Sequence, residues 1–461
     1  MRRFLTAVAT VAGLAAAPQA GAENLTDALI AAYRNSNLLA QNQAVLRAAD
    51  EDVAGAVSAL RPVIAYTMSG SYSHADFAQS NSLGATVRGN SESWSSSVGL
   101  TASILLYDGG RSRMAIEAAK EAVLGTRQAL INVEQQVLLS AVSAYVDVRL
   151  QREIVALRES NVRLITQELG AARDRFEVGE VTRTDVAQAE ARLATARANL
   201  ASAQGALTMA REAYNAAVGH YPNNLAPLPR SPVTARTVDE ARSVALRSHP
   251  SILQLQHQVK AADISVAIAK AAMQPTLSGG ASLTHNFNGL DNRGVSLTMN
   301  QTLYGGGELS SLYRRSIASK ESVRAQLHQS GVTVGEAVGN AWVSIEVAVS
   351  AIDAGAEGVA AAQTAFDGVR EEARLGARTT LDVLDAELEL LTARASRLEA
   401  EASRYVGNYQ LLSTMGLLTV KHLNLGIPTY DPESYYNAVK NAPASLQGKK
   451  LDRVMEKLGK N

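Results

Sequence analysis

Cysteine is absent from the 461 residues, and this absence excludes several kinds of site. The chain has no disulfide, no thiolate metal ligand, no cysteine nucleophile and no acylated cysteine of a lipoprotein. Charge of one sign is not in excess, because Lys and Arg number 44 and Asp and Glu also number 44. Nucleic acid is therefore not expected as a partner. The histidines show no metal-ligand spacing, so we expect no metal and no other cofactor.

A hydrophobic run long enough for a transmembrane helix is also missing. Residues 4–17 are apolar, but a membrane-spanning helix needs roughly 20 residues. Arg2 and Arg3 precede this run, and the small residues Ala-Gly-Ala follow it at 20–22. This order favours a secretory signal peptide over a transmembrane anchor, so we predict that residues 1–22 are removed and that Glu23 begins the mature chain. The protein is expected to be exported, and any membrane span must be formed by strands.

The chain contains an internal duplication. Ala48-Ala49-Asp50 returns as Ala261-Ala262-Asp263 after 213 positions, and Thr195-Ala196-Arg197-Ala198 returns as Thr392-Ala393-Arg394-Ala395 after 197 positions. Collinear matches of this kind indicate two copies of one structural unit. We predict four regions after the signal peptide: a first repeat at 23–220, a linker at 221–236, a second repeat at 237–426, and a tail at 427–461 that is peripheral or disordered.

Each repeat is predicted to contain a helix, two strands, a very long helix, a turn and another helix. Apolar and small polar residues alternate in strand pairs at about 62–107 and 275–304, the first interrupted by a Gly/Ser/Asn-rich loop at 75–91. Heptad patterns predict long helical hairpins at about 111–218 and 308–415. The first long helix would be roughly 95 Å at about 1.5 Å per residue, which is more than a globular domain accommodates.

The strands have the alternation and length of outer-membrane strands, with aromatic residues near their ends. A water-soluble sandwich is the alternative. Four strands cannot close a barrel, and an open sheet edge in lipid leaves costly unpaired backbone groups. The membrane interpretation therefore requires several copies of the chain, and the sequence alone permits two, three or four.

The most specific pattern lies at two helix turns. A glycine, a short polar turn, a threonine and an acidic first helical turn occur at 176–190 and again at 374–387. The second turn leads into Leu381-Asp382-Val383-Leu384-Asp385-Ala386. With the duplicated order of elements and the glycine-rich strand ends at 107–110 and 304–307, residues 23–426 resemble the TolC family of outer-membrane channel-tunnels. Residues 411–419 resemble its type I secretion branch.

The resemblance implies a mostly α protein with a transmembrane β-barrel. Three copies would form a twelve-stranded barrel in the lipid of the Gram-negative outer membrane, on a twelve-helix coiled-coil α-barrel in the periplasm. The implied function is a passive, non-enzymatic exit duct for type I protein secretion, small-molecule efflux or both. It would dock to a periplasmic adaptor and an inner-membrane ABC or other export transporter, and open by untwisting of its helices. A periplasmic or surface coiled-coil scaffold without a channel is the alternative.

The resemblance also assigns roles at the turns. Asp382 and Asp385 would form a cation-selective constriction ring, whereas interaction with the helix dipole is the simpler explanation of acids in a first turn. Both acids lie on one helix face, so a hydrolase that holds its substrate between two carboxylates is not expected. No residue is assigned a catalytic role.

Two further roles follow from the resemblance. Arg378 would hold the closed gate through Thr184 and Asp185, with a solvated surface arginine as the alternative. Ala373 stands where the family has a tyrosine of this lock. The adaptor would dock on the residues of the two turns: Val178, Gly179, Glu180, Leu375, Gly376 and Ala377.

Overall fold

The computed structural model describes residues 22–80, 84, 86–232 and 234–441. The predicted signal peptide, apart from Ala22, lies outside the described residues. Residues 442–461 of the predicted tail also lie outside them.

The elements repeat in the predicted order. The first repeat contains α1 (Leu25–Asn35), α2 (Asn37–Ser58), β1 (Val63–Ser80), β2 (Thr86–Tyr107), α3 (Arg111–Glu177) and α4 (Arg183–Val218). The second contains α5 (Val238–Ser248), α6 (Pro250–Ala271), β3 (Thr276–Asn286), β4 (Asn292–Asn300), α7 (Glu308–Arg374) and α8 (Thr380–Thr414), and α9 (Pro432–Val439) follows. We call α3 with α4 the first hairpin, and α7 with α8 the second hairpin.

The helical stretch expected at 24–58 is divided in two. Ser36 has an extended backbone with ψ of 108°, which separates α1 from α2. The same break occurs 213 positions later at His249, whose ψ is 124°. At His249 the cause of the break is Pro250, because proline disfavours a helical conformation at the residue before it. The duplication thus extends to the position of the helix break.

The four strands form one antiparallel sheet in the order β1-β2-β3-β4. The prediction of a loop at 75–91 is wrong for most of that range, because β1 continues to Ser80 and β2 begins at Thr86. Serine hydroxyls pair across these strands, with Ser71 Oγ 2.7 Å from Ser95 Oγ and Ser73 Oγ 2.7 Å from Ser93 Oγ. The backbone ladder and these pairs stabilise strands whose composition has low strand propensity.

The sheet has one apolar face and one polar face. Tyr66 is paired with Leu100, which is paired with Leu283, so these side chains share a face. Most of the large apolar side chains on this face are exposed in a single chain, including Tyr66 at 66% and Leu297 at 68%. In the described part of the chain, none of the helices combines the length and the hydropathy that a membrane crossing requires.

The chain divides into two compact units. The described residues of the first unit fall within 22–36, 138–232 and 344–409, so it contains α1, α4, both helix turns and the helix segments next to them. Its N-terminal segment is fixed by tyrosines. Tyr214 donates from its hydroxyl to Glu23 Oε1 at 2.6 Å, and Tyr145 donates to the Glu23 carbonyl at 3.0 Å.

The described residues of the second unit fall within 37–137, 234–343 and 410–441, and they include the sheet. Leu46, Val53 and Val123 form an apolar cluster there, with Tyr436 of α9 packed against it. Tyr435 is buried and donates from its hydroxyl to Glu51 Oε1 at 2.6 Å. The described part of the tail is therefore a folded, peripheral helix on α2.

Candidate functional site at the helix turns

Each helical hairpin closes through a glycine in the left-handed region. Gly179 follows α3 with φ of 81°, and Gly376 follows α7 with φ of 79°. Residues with a side chain adopt this conformation at a cost, whereas glycine does not. The two glycines are 197 positions apart, so the turn geometry is itself duplicated.

A threonine and an aspartate cap the helix that follows each turn. Asp185 Oδ2 accepts from the backbone N–H of Thr182 at 2.8 Å, and the backbone N–H of Asp185 donates to Thr182 Oγ1 at 3.3 Å. In the second turn the backbone N–H of Thr379 donates to Asp382 Oδ2 at 2.9 Å, and that of Asp382 donates to Thr379 Oγ1 at 3.2 Å. Both are reciprocal capping boxes, which satisfy backbone donors at a helix start.

Capping also keeps both carboxylates ionised. Hydrogen bonds from the backbone and hydroxyl of Thr379, with a smaller contribution from the Arg378 charge, lower the pKa of Asp382. Bonds from Thr182 lower the pKa of Asp185 in the same way. The first-turn acids are therefore explained locally in both hairpins, and Asp382 carries a permanent charge at neutral pH.

Asp385 has a different environment. Its duplicated counterpart is Gln188, so capping does not require an acid at this position. Its side chain is 53% exposed, and Oδ1 lies 2.7 Å from Nη2 of Arg192 on α4. This ion pair connects the second hairpin to the first. Asp382 and Asp385 lie on one helix, but among the ion pairs of the described residues Asp385 has a basic partner in the other hairpin and Asp382 does not.

Arg378 bonds within its own hairpin in the single chain. Its Nε donates to Glu372 Oε2 at 2.9 Å. Among the hydrogen bonds of the described residues, none joins Arg378 to Thr184 or Asp185. Arg378 and Asp185 do line the same open cleft of about 590 Å³ between the two turns, whereas Thr184 does not. Ala373, where the family tyrosine would stand, is buried in the apolar core of the second hairpin.

The residues expected to dock an adaptor are all exposed. Val178 is 72% exposed and Leu375 is 79% exposed, and each directly precedes the glycine of its turn. Gly179, Glu180, Gly376 and Ala377 complete the two turns and are also exposed. An apolar side chain at the tip of each turn contacts solvent in the isolated chain, as an unoccupied contact surface would.

Three residues to which the sequence patterns assigned no role also join the two hairpins. Arg192 is one, and the other two are Asn161 of α3 and Glu387 of α8. Asn161 Nδ2 donates to Glu387 Oε1 at 3.0 Å, in a buried position. Burial raises the pKa of Glu387 to about 7, and the charge of Glu168 acts in the same direction. The bond from Asn161 and the charge of Arg370 partly oppose this rise.

An apolar contact lies beside these bonds. Leu384 is 4% exposed and belongs to a cluster whose other buried members come from the first hairpin. These members are Ile165, Leu169, Ala189, Leu193 and Ala196. Residues 192 and 385 are 193 positions apart, and 161 and 387 are 226 apart, so no local spacing indicates such contacts.

Acidic residues are plentiful near the turns, but within the described ranges they are not grouped as metal ligands. There is no set of three or more His, Asp or Glu side chains in this part of the chain that is arranged to hold a metal ion. The site therefore consists of caps, ion pairs and exposed turns.

The sequence is similar to known outer-membrane proteins. The family model described as outer membrane efflux protein matches residues 29–220 and 241–417, which correspond to the two repeats. The outer membrane efflux protein BepC of Brucella suis is 36% identical over 448 residues, covering 95% of this chain and 96% of that one. The outer membrane protein TolC of Escherichia coli is 24% identical over 428 residues, covering 87% of this chain and 84% of that one.

A solved structure shows the same fold. The outer membrane channel CmeC of Campylobacter jejuni superposes with a TM-score of 0.74 at 16% identity, covering 92% of this chain and 90% of that chain. The duplicated order of elements, the family match and this similarity agree. The chain therefore belongs to the outer membrane efflux protein family, the TolC family, and is a non-enzymatic efflux channel that spans the outer membrane and the periplasm.

Proposed function

We propose that three copies of this chain form one passive duct through the outer membrane, a trimeric assembly that membership of the family implies. The observation that carries the proposal is the open four-stranded sheet. Within the described residues, its outer strands β1 and β4 each have a strand neighbour on one side only. Three such sheets, joined edge to edge, close into a barrel of twelve strands and leave no unpaired edge in lipid.

The two faces of the sheet support this arrangement. The face with Tyr66, Met68 and Leu100 is apolar, as contact with lipid requires. The opposite face carries Thr67, Gly99 and neighbouring serines, which suit a water-filled lumen. Passage of cargo through such a duct needs no chemical step by the protein.

At the helix turns, we propose a constriction ring of carboxylates. In a trimer, Asp382 and Asp385 each occur three times around the axis. Asp382 remains ionised because of its cap, so the ring attracts cations even when Asp385 is paired with Arg192. Polyvalent cations would bind several carboxylates together and block the channel.

Opening and docking are proposed at the same end. Untwisting of the second hairpin would move Arg378 and the ring residues apart and widen the passage. The exposed Val178 and Leu375 support docking of a periplasmic adaptor on the turns, because apolar tips favour burial against a partner. The adaptor would connect the duct to an inner-membrane ABC or other export transporter, with polypeptides, small molecules or both as cargo.

Purification followed by planar-bilayer recording tests the channel directly. We expect heat-modifiable trimers in outer-membrane fractions, and cation-selective conductance after reconstitution. A periplasmic scaffold would instead be extracted by salt alone and would give no conductance. The cargo is tested in a deletion strain, by measuring toxic-compound sensitivity and the amount of secreted polypeptide side by side.

A further inference from the structure

We propose that Arg192 and Asn161 of the first hairpin hold the gate closed by binding Asp385 and Glu387 of α8, in place of the tyrosine contact that Ala373 lacks. We call these four residues, with Leu384, the inter-hairpin latch. The inference rests on the proposed function, because it assigns residues to the gate of the same channel. It differs from the lock expected at Arg378, which lies on the turn itself.

The first component of the latch is an ion pair across the two hairpins. Arg192 Nη2 and Asp385 Oδ1 are 2.7 Å apart, a distance typical of a charge-assisted hydrogen bond. The two side chains are 42% and 53% exposed, so water and salt weaken the attraction between their charges. When the pair breaks, water can solvate both charged groups. A contact of this kind holds two elements together reversibly.

The second component is buried. Glu387 is 7% exposed and accepts from Asn161 through Oε1, while its Oε2 has no hydrogen-bond partner among the described residues. Its duplicated counterpart Glu190 instead pairs on the surface with Arg173 of its own hairpin, at 2.5 Å. The two matching acids therefore make different contacts, Glu190 within one hairpin and Glu387 between the two hairpins.

The third component is apolar and lies at the same point of α8. Leu384 is inserted into the cluster of the first hairpin, next to Leu193 and Ile165. Thus Leu384, Asp385 and Glu387 all contact the first hairpin within one helical turn of α8. Ala373, in contrast, belongs to a cluster whose buried members all come from the second hairpin, with Leu164 of α3 packed against it, and Ala373 has no side-chain polar atom to bond across.

The latch links opening to the charge of the ring. The second hairpin cannot separate from the first unless the Arg192–Asp385 and Asn161–Glu387 contacts break. While the latch is closed, the Arg192 guanidinium balances the Asp385 carboxylate, and Asp382 supplies the unbalanced charge of the ring. Separation frees Asp385, so the open channel presents more negative charge than the closed channel.

The first experiment records single channels of the purified trimer in planar bilayers. We expect Arg192→Gln and Asn161→Leu each to raise the open-to-closed ratio by about two- to thirty-fold, the range that broken coupling contacts give. The charge swap of Arg192→Asp with Asp385→Arg should return the ratio towards that of the unmodified protein. Arg173→Gln is the matched control, because it breaks an exposed Arg–Glu pair inside the first hairpin alone.

The results of this experiment distinguish failure of the latch proposal from failure of the proposed function. If the unmodified trimer conducts and Arg192→Gln behaves like Arg173→Gln, the latch is wrong and the duct stands. If the charge swap folds as a trimer but does not restore the ratio, the ion pair does not hold the gate. If the unmodified protein forms no conducting trimer, the proposed function itself is wrong.

A cross-link gives a second test that does not depend on loss of a contact. Because the chain has no cysteine, Arg192→Cys with Asp385→Cys provides a unique thiol pair for a short bis-maleimide linker. The linked channel should remain closed, whereas either single variant treated with the same reagent should open more readily than the unmodified protein, because each lacks the ion pair. Opening of the fully linked channel would contradict the latch.

Discussion

Asp382 and Asp385 are one helical turn apart, yet each is held by a different group. Asp382 is bound by the backbone and hydroxyl of Thr379, and Asp385 by the guanidinium of Arg192. A cap leaves the net charge of the carboxylate in place, whereas an ion pair cancels it. The two residues of the proposed ring therefore contribute unequally while the gate is closed.

This inequality predicts the effect of neutralising each aspartate. Asp382→Ala with Asp385→Ala should abolish block by trivalent cations and lower cation preference in bilayers, and Asp382→Asn alone should account for most of the closed-state change. The lowered pKa of Asp382 keeps its charge as pH falls, so cation preference should persist at about pH 5. Glu399→Gln, at an exposed position of the same helix, should leave selectivity unchanged. Equal effects of Asp382→Asn and Asp385→Asn on closed-state selectivity would contradict the assignment.

Glu387 predicts a pH dependence of stability. Its pKa rises from 4.5 to about 7 in the folded chain, so folding favours the protonated form. This stability is complete below about pH 4.5 and is lost as pH rises through about 7, by up to about 3 kcal/mol per chain. Glu387→Gln keeps an acceptor for Asn161 without the charge, so its thermal unfolding temperature should change less between about pH 5 and pH 8. A steeper dependence in the variant would show that the buried carboxyl is not the titrating group.

The capping contacts of this site could be predicted from the sequence, because they depend on local spacing along the helix. Thr379 and Asp382 are three residues apart, and a capping box has that spacing in every helix. The partners Arg192 and Asn161 could not be predicted, because their contacts depend on how two hairpins pack. The Arg378 contact with Thr184 and Asp185 remains a prediction for the assembled trimer.

The turn glycines determine how the two helical hairpins close. Gly376 has φ of 79° and open space where a Cβ would lie, so Gly376→Ala adds strain without a clash. We expect a loss of about 1–2 kcal/mol, and a smaller loss for Gly376→Asn. The matched control has the opposite sign, because Gly368→Ala lies inside α7 with open space and should stabilise by about 1 kcal/mol. Chemical denaturation measures both, and stabilisation by Gly376→Ala would contradict the left-handed turn.

Sequence composition does not predict the full length of the first two strands. Heptad patterns predict helical hairpins at 111–218 and 308–415, and the structure has α3–α4 and α7–α8 in these ranges. The Gly/Ser/Asn composition at 75–91 indicated a loop, whereas strands occupy most of it. Strand formation there depends on a partner strand, through Ser71 with Ser95 and Ser73 with Ser93, and composition does not report pairing.

In the assembled duct, the β3–β4 turn and the turns of the helical hairpins should lie on opposite sides of the outer membrane. The β3–β4 turn carries exposed Gly289, and the first helical hairpin closes at exposed Gly179. In the proposed duct, the β3–β4 turn faces the outside and the helix turns face the periplasm. An epitope inserted after Gly289 should be labelled on intact cells, and one inserted after Gly179 only after the outer membrane is permeabilised.

Both tagged proteins must first be shown to form heat-stable trimers, so that a missing signal reports location and not misfolding. The Gly289 position suits insertion because the turn is exposed, although Asn288 beside it donates to the Trp94 carbonyl at 2.7 Å and should be left intact. Labelling of both sites on intact cells would place the helices at the cell surface and favour the scaffold. Labelling of neither would indicate that the sheet does not cross the membrane, because a duct must present its strand turns to the outside.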